Sequence, residues 1–132
     1  MPVICDWYDK TQTILYCRLI GHWTVEEHTD ALAAVHQLLQ DVSVSKRFDI
    51  ILDLTESSYT PPTGTLWNWK QNLEMRDALF PNYGLSVFIN TSRVIDAYFE
   101  EGVQTSDAIR LHSRFAKTLT EAIQIIQVDR AS

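Results

Sequence analysis

The chain is short of the residues that usually announce special chemistry. Only two cysteines occur in 132 residues, Cys5 and Cys17. Two thiols make no disulfide framework and read as the reduced thiols of a cytoplasmic protein, with one bridge between neighbouring strands left open. The four glycines spell neither GxGxxG nor GxxxxGK, so a nucleotide phosphate cradle is unsupported. Four histidines are present, without HExxH spacing and without a CxxC partner motif. His28 and His36 lie two helical turns apart, roughly 12 Å, which is too far for one metal ion. His22 and His112 stand alone. No metal and no cofactor are expected. There is no GxSxG, and Ser57, Ser58 and Thr60 have no adjacent base to activate them, so no catalysis is expected. No apolar run is long enough to span a bilayer. The opening MPVICDWYD has no basic start before an apolar stretch, so no secretory signal is expected. Basic residues are few and scattered: 11 Lys and Arg face 17 Asp and Glu, a formal charge of -6. That excludes binding by phosphate neutralisation, which needs a basic face, and nucleic acid is not an expected partner.

What is present is an ordinary folding composition. With 45% hydrophobic and 21% charged residues the chain has enough apolar surface to form a core, and its length suits a single domain over 1–132. Val3 to Tyr8 and Thr13 to Ile20 read as strands joined by a short polar turn, a hairpin. Thr24-Val25-Glu26-Glu27 is a capping box. Val25, His28, Leu32, Val35, His36 and Leu39 then form one stripe at helical spacing, predicting a helix to about Gln40. Phe48 to Leu54 is a near-continuous apolar strand interrupted by Asp49 and Asp53, suited to burial on both faces. A second helix is predicted from Thr60 or Thr63, with Pro61 suited to its first position. Pro81-Asn82-Tyr83-Gly84 breaks the chain, and Leu85 to Ile89 is another buried strand. Ser92 caps a third helix that Gly102 ends. Thr105 to Arg110 reads as a helical turn and Leu111 to Phe115 as a last strand. Thr118-Leu119-Thr120-Glu121 is a second capping box, opening a helix to about Gln127. Asp129 to Ser132 reads as a polar tail. The order β-β-α-β-α-β-α-β-α implies an α/β domain with a mixed, mainly parallel sheet behind an N-terminal hairpin.

The most informative stretch is FDIILDLTESSYTPPTGTLWNW, residues 48–69. A strand ends in Asp53, a hydroxyl-rich loop follows, and an aromatic helix begins. Binding residues collect at the carboxyl ends of strands in open α/β sheets. The candidate interaction or modification residues are therefore Asp53, Glu56, Ser57, Ser58, Tyr59, Thr60 and Thr63. Asp53 with Glu56 reads either as an acid pair or, more simply, as a strand end beside a solvated carboxylate. The next helix adds two more candidates. Leu66, Trp69 and Leu73 share its core stripe, while Trp67, Gln71, Met75 and Ala78 point elsewhere. Trp67 and Met75 thus mark a second apolar face, open to a protein partner or a second copy of the chain.

Four segments together resemble one family. They are YDKTQTILYCRLIGHWTVEE, IILDLTESSYTPPTG, GLSVFIN and RFAKTLTEAIQII, in that order and spacing. They resemble the SpoIIAA-like, or STAS, fold of anti-sigma factor antagonists, and more closely its stand-alone bacterial STAS/SEC14-like branch. The resemblance implies a non-catalytic cytoplasmic regulatory or protein-interaction module. In antagonists of that family a serine at the start of the helix after the acidic strand is phosphorylated. Here that place reads Pro61-Pro62-Thr63-Gly64, with Pro62 at the serine position and Thr63 beside it, so the phosphoserine switch does not transfer. The SEC14-like label implies an alternative, a small apolar ligand or lipid held among Trp67, Trp69, Tyr98 and Phe99.

Overall fold

Asp9 closes the first turn of the chain. One of its carboxylate oxygens accepts from the amides of Thr13 (2.9 Å) and Ile14 (3.0 Å), and the other from the hydroxyls of Thr11 and Thr13. Burial works against the charge, but these hydrogen bonds prevail and pull the Asp9 carboxyl down to about 2. The turn joins β1 (Val3–Trp7) to β2 (Ile14–Leu19) as the expected antiparallel hairpin. The computed structural model describes residues 3–40, 46–58 and 63–132. It continues with α1 (Val25–Gln40), β3 (Phe48–Asp53), α2 (Thr63–Leu79), β4 (Tyr83–Ile89), α3 (Arg93–Gly102), α4 (Asp107–His112), β5 (Ser113–Ala116) and α5 (Leu119–Ala131).

The sheet runs in the order β1-β2-β3-β4-β5, with β2 to β5 mutually parallel. Each parallel step moves the same way along the sheet, so right-handed crossovers place α1 to α4 on one face. That face holds the larger core, with Leu15, Leu19, Phe48, Leu66, Trp69 and Phe99 all buried. On the other face α5 packs Ala122 and Ile126 against Ile51, Val87 and Ile89. The capping box at Thr24 forms in both directions: the Thr24 amide donates to Glu27 Oε1 (3.0 Å), and the Glu27 amide to Thr24 Oγ1 (3.1 Å).

Three boundaries differ from the sequence pattern. Residues Thr105 to Arg110 and Leu111 to Phe115 do not divide into turn and strand. Ser106 caps a full short helix by accepting from the Ile109 amide, and Leu111 and His112 complete it, so β5 begins only at Ser113. The order is thus β-β-α-β-α-β-α-α-β-α, with one more helix than expected. β4 starts inside the predicted break, because the Tyr83 ring stacks on Phe48 (5.4 Å between centroids) and so joins the core. The predicted tail is helical to Ala131, since Arg130 is held by the buried Asp49 through contacts of 2.7 and 2.9 Å.

Candidate functional site

Asp53 ends β3 as expected, but its carboxylate is engaged from within. Oδ2 accepts from the Tyr16 hydroxyl of β2 at 2.5 Å, and Oδ1 from the Thr55 amide (2.9 Å) and hydroxyl (2.5 Å). Burial, and then the bond to Asp53, push the Tyr16 phenol above its ordinary range. Glu56 does not stand beside Asp53 as an acid pair. It bonds the Arg18 guanidinium at 2.6 and 3.1 Å, on the exposed rim. The backbone around it is tied to Gly21, whose φ of +61° suits glycine: the Gly21 amide donates to the Glu56 carbonyl (2.8 Å) and the Ser58 amide to the Gly21 carbonyl (2.9 Å). Ser57 Oγ accepts from Trp23 Nε1 at 2.8 Å. The described part of the loop is therefore a fastened strap. Tyr59 and Thr60, with Pro61 and Pro62, lie outside the described residues. Thr63 opens the backbone of α2.

The two tryptophans of α2 part as their spacing predicts. Trp69 is 3% exposed and Trp67 53%. Trp67 shares the outer side of the helix with Met75 (36%) and Leu79 (63%), three large apolar side chains open to solvent on one element. The four aromatics that might have lined a ligand pocket separate instead. Trp67 faces solvent, Phe99 is fully buried against Phe88 (5.0 Å), and Tyr98 meets Phe99 edge-on.

On its inner side α2 carries a residue the sequence pattern passed over. Arg76 follows Leu66, Trp69 and Leu73 at the next position of the core stripe and is only 5% exposed. That placement was available from helical spacing, since positions 69, 73 and 76 share one face. It adjoins His28 and His36 of α1. Trp69 Nε1 lies 3.0 Å from both ring nitrogens of His28, and Trp23 stacks on Trp69 at 6.3 Å. Burial first, and then the charge of Arg76, lower the His28 pKa to about 4, so the ring is the neutral acceptor that Trp69 needs. His36 is lowered by the same two causes. His112 is not isolated: Nδ1 lies 2.6 Å from the Gly84 carbonyl and Nε2 2.6 Å from Asp77 Oδ1, bridging β4 to α2.

The two cysteines face each other in the β1–β2 register, and Cys17 is buried. The Cys5 thiol bonded to it, and then burial, push the Cys17 thiol well up. At the carboxyl ends of β4 and β5, the same end of the sheet as Asp53, an open cleft of about 470 Å³ is lined by residues that include Asn90, Asp96, Lys117 and Glu121. Asp96 there accepts from the Thr91 hydroxyl. Among the described residues no group of three or more His, Cys, Asp or Glu is arranged to hold a metal ion, and no helix is long and apolar enough to cross a membrane. The chain matches no protein-family model and no curated protein.

Proposed function

We propose that this chain is a non-catalytic protein-interaction module of the SpoIIAA-like (STAS) type, acting in the cytoplasm through the outer face of α2 and the loop that precedes it. The observation that carries the reading is the solvent exposure of Trp67, with Met75 and Leu79 beside it, on a helix whose other side is core. A large aromatic left in water on a rigid helix is the usual anchor of a protein interface. The loop supports the same reading. Asp53, Glu56 and Ser57 are each held by Tyr16, Arg18 and Trp23, which suits a fixed platform better than a group that must change partners during a reaction. With Pro62 where related antagonists carry their phosphorylated serine, the module works without that switch.

Affinity capture from the source organism, with Trp67→Ala as the paired bait, tests this. The expected result is a specific protein partner retained by the wild type and lost by the variant. Recovery of no partner, together with turnover of a metabolite by the purified protein, would remove the reading in favour of an enzyme.

A further inference from the structure

β1 is an edge of the sheet, and its one strand neighbour is β2. Cys5 of β1 stands directly opposite Cys17 of β2 in the antiparallel register. Opposed residues in such a pair are of two kinds. Some exchange backbone hydrogen bonds, and the others do not and bring their side chains closer. Two bonds decide which kind this pair is. The Tyr8 amide donates to the Ile14 carbonyl at 2.7 Å across the hairpin, and the Asp49 amide of β3 donates to the Thr13 carbonyl at 2.9 Å. Backbone groups alternate in direction along a strand, so the even-numbered residues of β2 point their amides and carbonyls at β1 and the odd-numbered ones at β3. Cys17 is odd-numbered. Cys5 and Cys17 therefore form a pair without mutual backbone bonds, a class whose Cα atoms lie about 4.5 Å apart. That separation falls inside the window of about 4.4–6.8 Å that a disulfide spans. Both side chains are on the face that carries the larger core. Cys17 is buried there beside His28 and Trp69, whereas Cys5 is half-buried on the edge strand.

We propose that Cys5 and Cys17 are a redox modification site, closing to a reversible cross-strand disulfide by exchange with a small disulfide such as oxidised glutathione. Cys5 is the accessible thiol and attacks first. It loses its proton to water, its thiolate attacks one sulfur of oxidised glutathione, and one glutathione thiolate leaves, so that a Cys5–glutathione disulfide forms. Cys17 is held as a thiol in the reduced protein, by its bond to Cys5 and then by burial. Capping Cys5 removes the first of these causes. Cys17 then gives up its proton, attacks the Cys5 sulfur and expels the second glutathione thiolate, which takes a proton from water. Two protein thiols are oxidised to one disulfide, and one oxidised glutathione is reduced to two thiols. The bond ties the edge strand to the sheet, and in a reducing compartment it is transient. It lies at the hairpin and forms without reference to any partner of α2.

The folded, reduced protein incubated with excess oxidised glutathione tests this, with intact mass as the readout. The expected wild-type product is a monomer lighter by two hydrogens, with neither thiol open to alkylation after unfolding, and dithiothreitol should restore both thiols. Cys17→Ala should stop at the glutathione adduct on Cys5. Cys5→Ser should stay unmodified while folded, because Cys17 is buried. The wild-type masses need no variant to fold. Closing the chain between residues 5 and 17 restricts the unfolded state, so the oxidised form should melt several degrees above the reduced one. Four outcomes would overturn the proposal: a folded wild type that keeps two free thiols or stops at the adduct, oxidation that yields only linked dimers, a Cys5→Ser protein that reacts as fast as wild type, or an oxidised form that melts below the reduced one.

Discussion

Asp49 and Arg76 are both charged residues inside the fold, on opposite faces of the sheet, and they are treated in opposite ways. Asp49 is wholly buried on the α5 side. Its carboxylate accepts from the Leu85 amide at 2.6 Å and meets Arg47 at 2.9 Å and Arg130 at 2.7 Å, while Asp129 balances Arg47 at 2.8 Å. Burial opposes the Arg47 charge, yet these carboxylates together raise its pKa. Asp129, Arg47, Asp49 and Arg130 form a run of three ion pairs, closed into a ring by the backbone that joins Asp129 to Arg130, and it ties β3, β4 and α5. Gly84 belongs to the same ring, since a Cβ there would collide with the Asp49 carboxylate and the Arg47 guanidinium. Arg76, on the α1–α2 side, has no such ring among the described residues. A buried charge with its partners in place is architecture, whereas one without them carries a desolvation cost that nothing beside it offsets in full.

The comparison is tested most forcefully at α2 and at Asp49. Trp69→Ala should cost about 3–5 kcal/mol by emptying core volume, read as a shifted denaturant midpoint. Trp67→Ala should stay within about 0.5 kcal/mol of wild type. Equal losses would mean that Trp67 is core and that α2 has no free face. Asp49→Ala should cost about 3 kcal/mol, because it strands two arginines and a buried amide at once. The figure lies at the low end because both guanidinium side chains are 30% exposed. A loss under about 1 kcal/mol would show that the ring is no more structural than a surface pair.

Next in size is the pH dependence set by the buried histidine beside Arg76. His28 titrates near 4 in the fold and near its ordinary 6.5 once unfolded. Between those values the unfolded chain binds more protons, so stability rises with pH. The contribution is complete above 6.5 and is lost as pH falls toward 4, by about 3 kcal/mol at most. Denaturant melts across that window should slope accordingly, and His28→Gln should flatten them. Arg76→Met should flatten them partly, since the guanidinium is the second cause of the shift. A wild-type curve level from pH 7 to pH 4 would contradict the neutral, buried His28. The smallest effect belongs to the rim: Glu56→Gln removes an exposed ion pair to Arg18 and should leave the denaturant midpoint close to that of the wild type. A much larger loss would make that corner as structural as the Asp49 ring.

Much of this was legible in the chain itself. The hairpin, the capping boxes at Thr24 and Thr118, the buried run at Phe48–Asp53 and the parting of Trp67 from Trp69 all rest on neighbours close along the chain or on one period along one element. The short helix at Asp107–His112 was legible only as a turn ending at Arg110, because six residues give too little periodicity to separate its last residues from the strand that follows. Asp49 read only as an interruption of an apolar strand, and Arg130 as part of a tail. Their ion pair joins positions 81 residues apart and exists only once the sheet has been ordered and α5 laid across it. The same holds for Tyr16 on Asp53, 37 residues apart, which turned a candidate interaction residue into a fastened strand end. Arg76 stands between the two cases. Its place on the core stripe follows from helical spacing, but whether a carboxylate waited for it depended on what α1 and the sheet brought alongside. Periodicity and capping are local energies that the sequence determines by itself. Which charges are neutralised inside the fold is a matter of long-range proximity, and only the tertiary structure decides it.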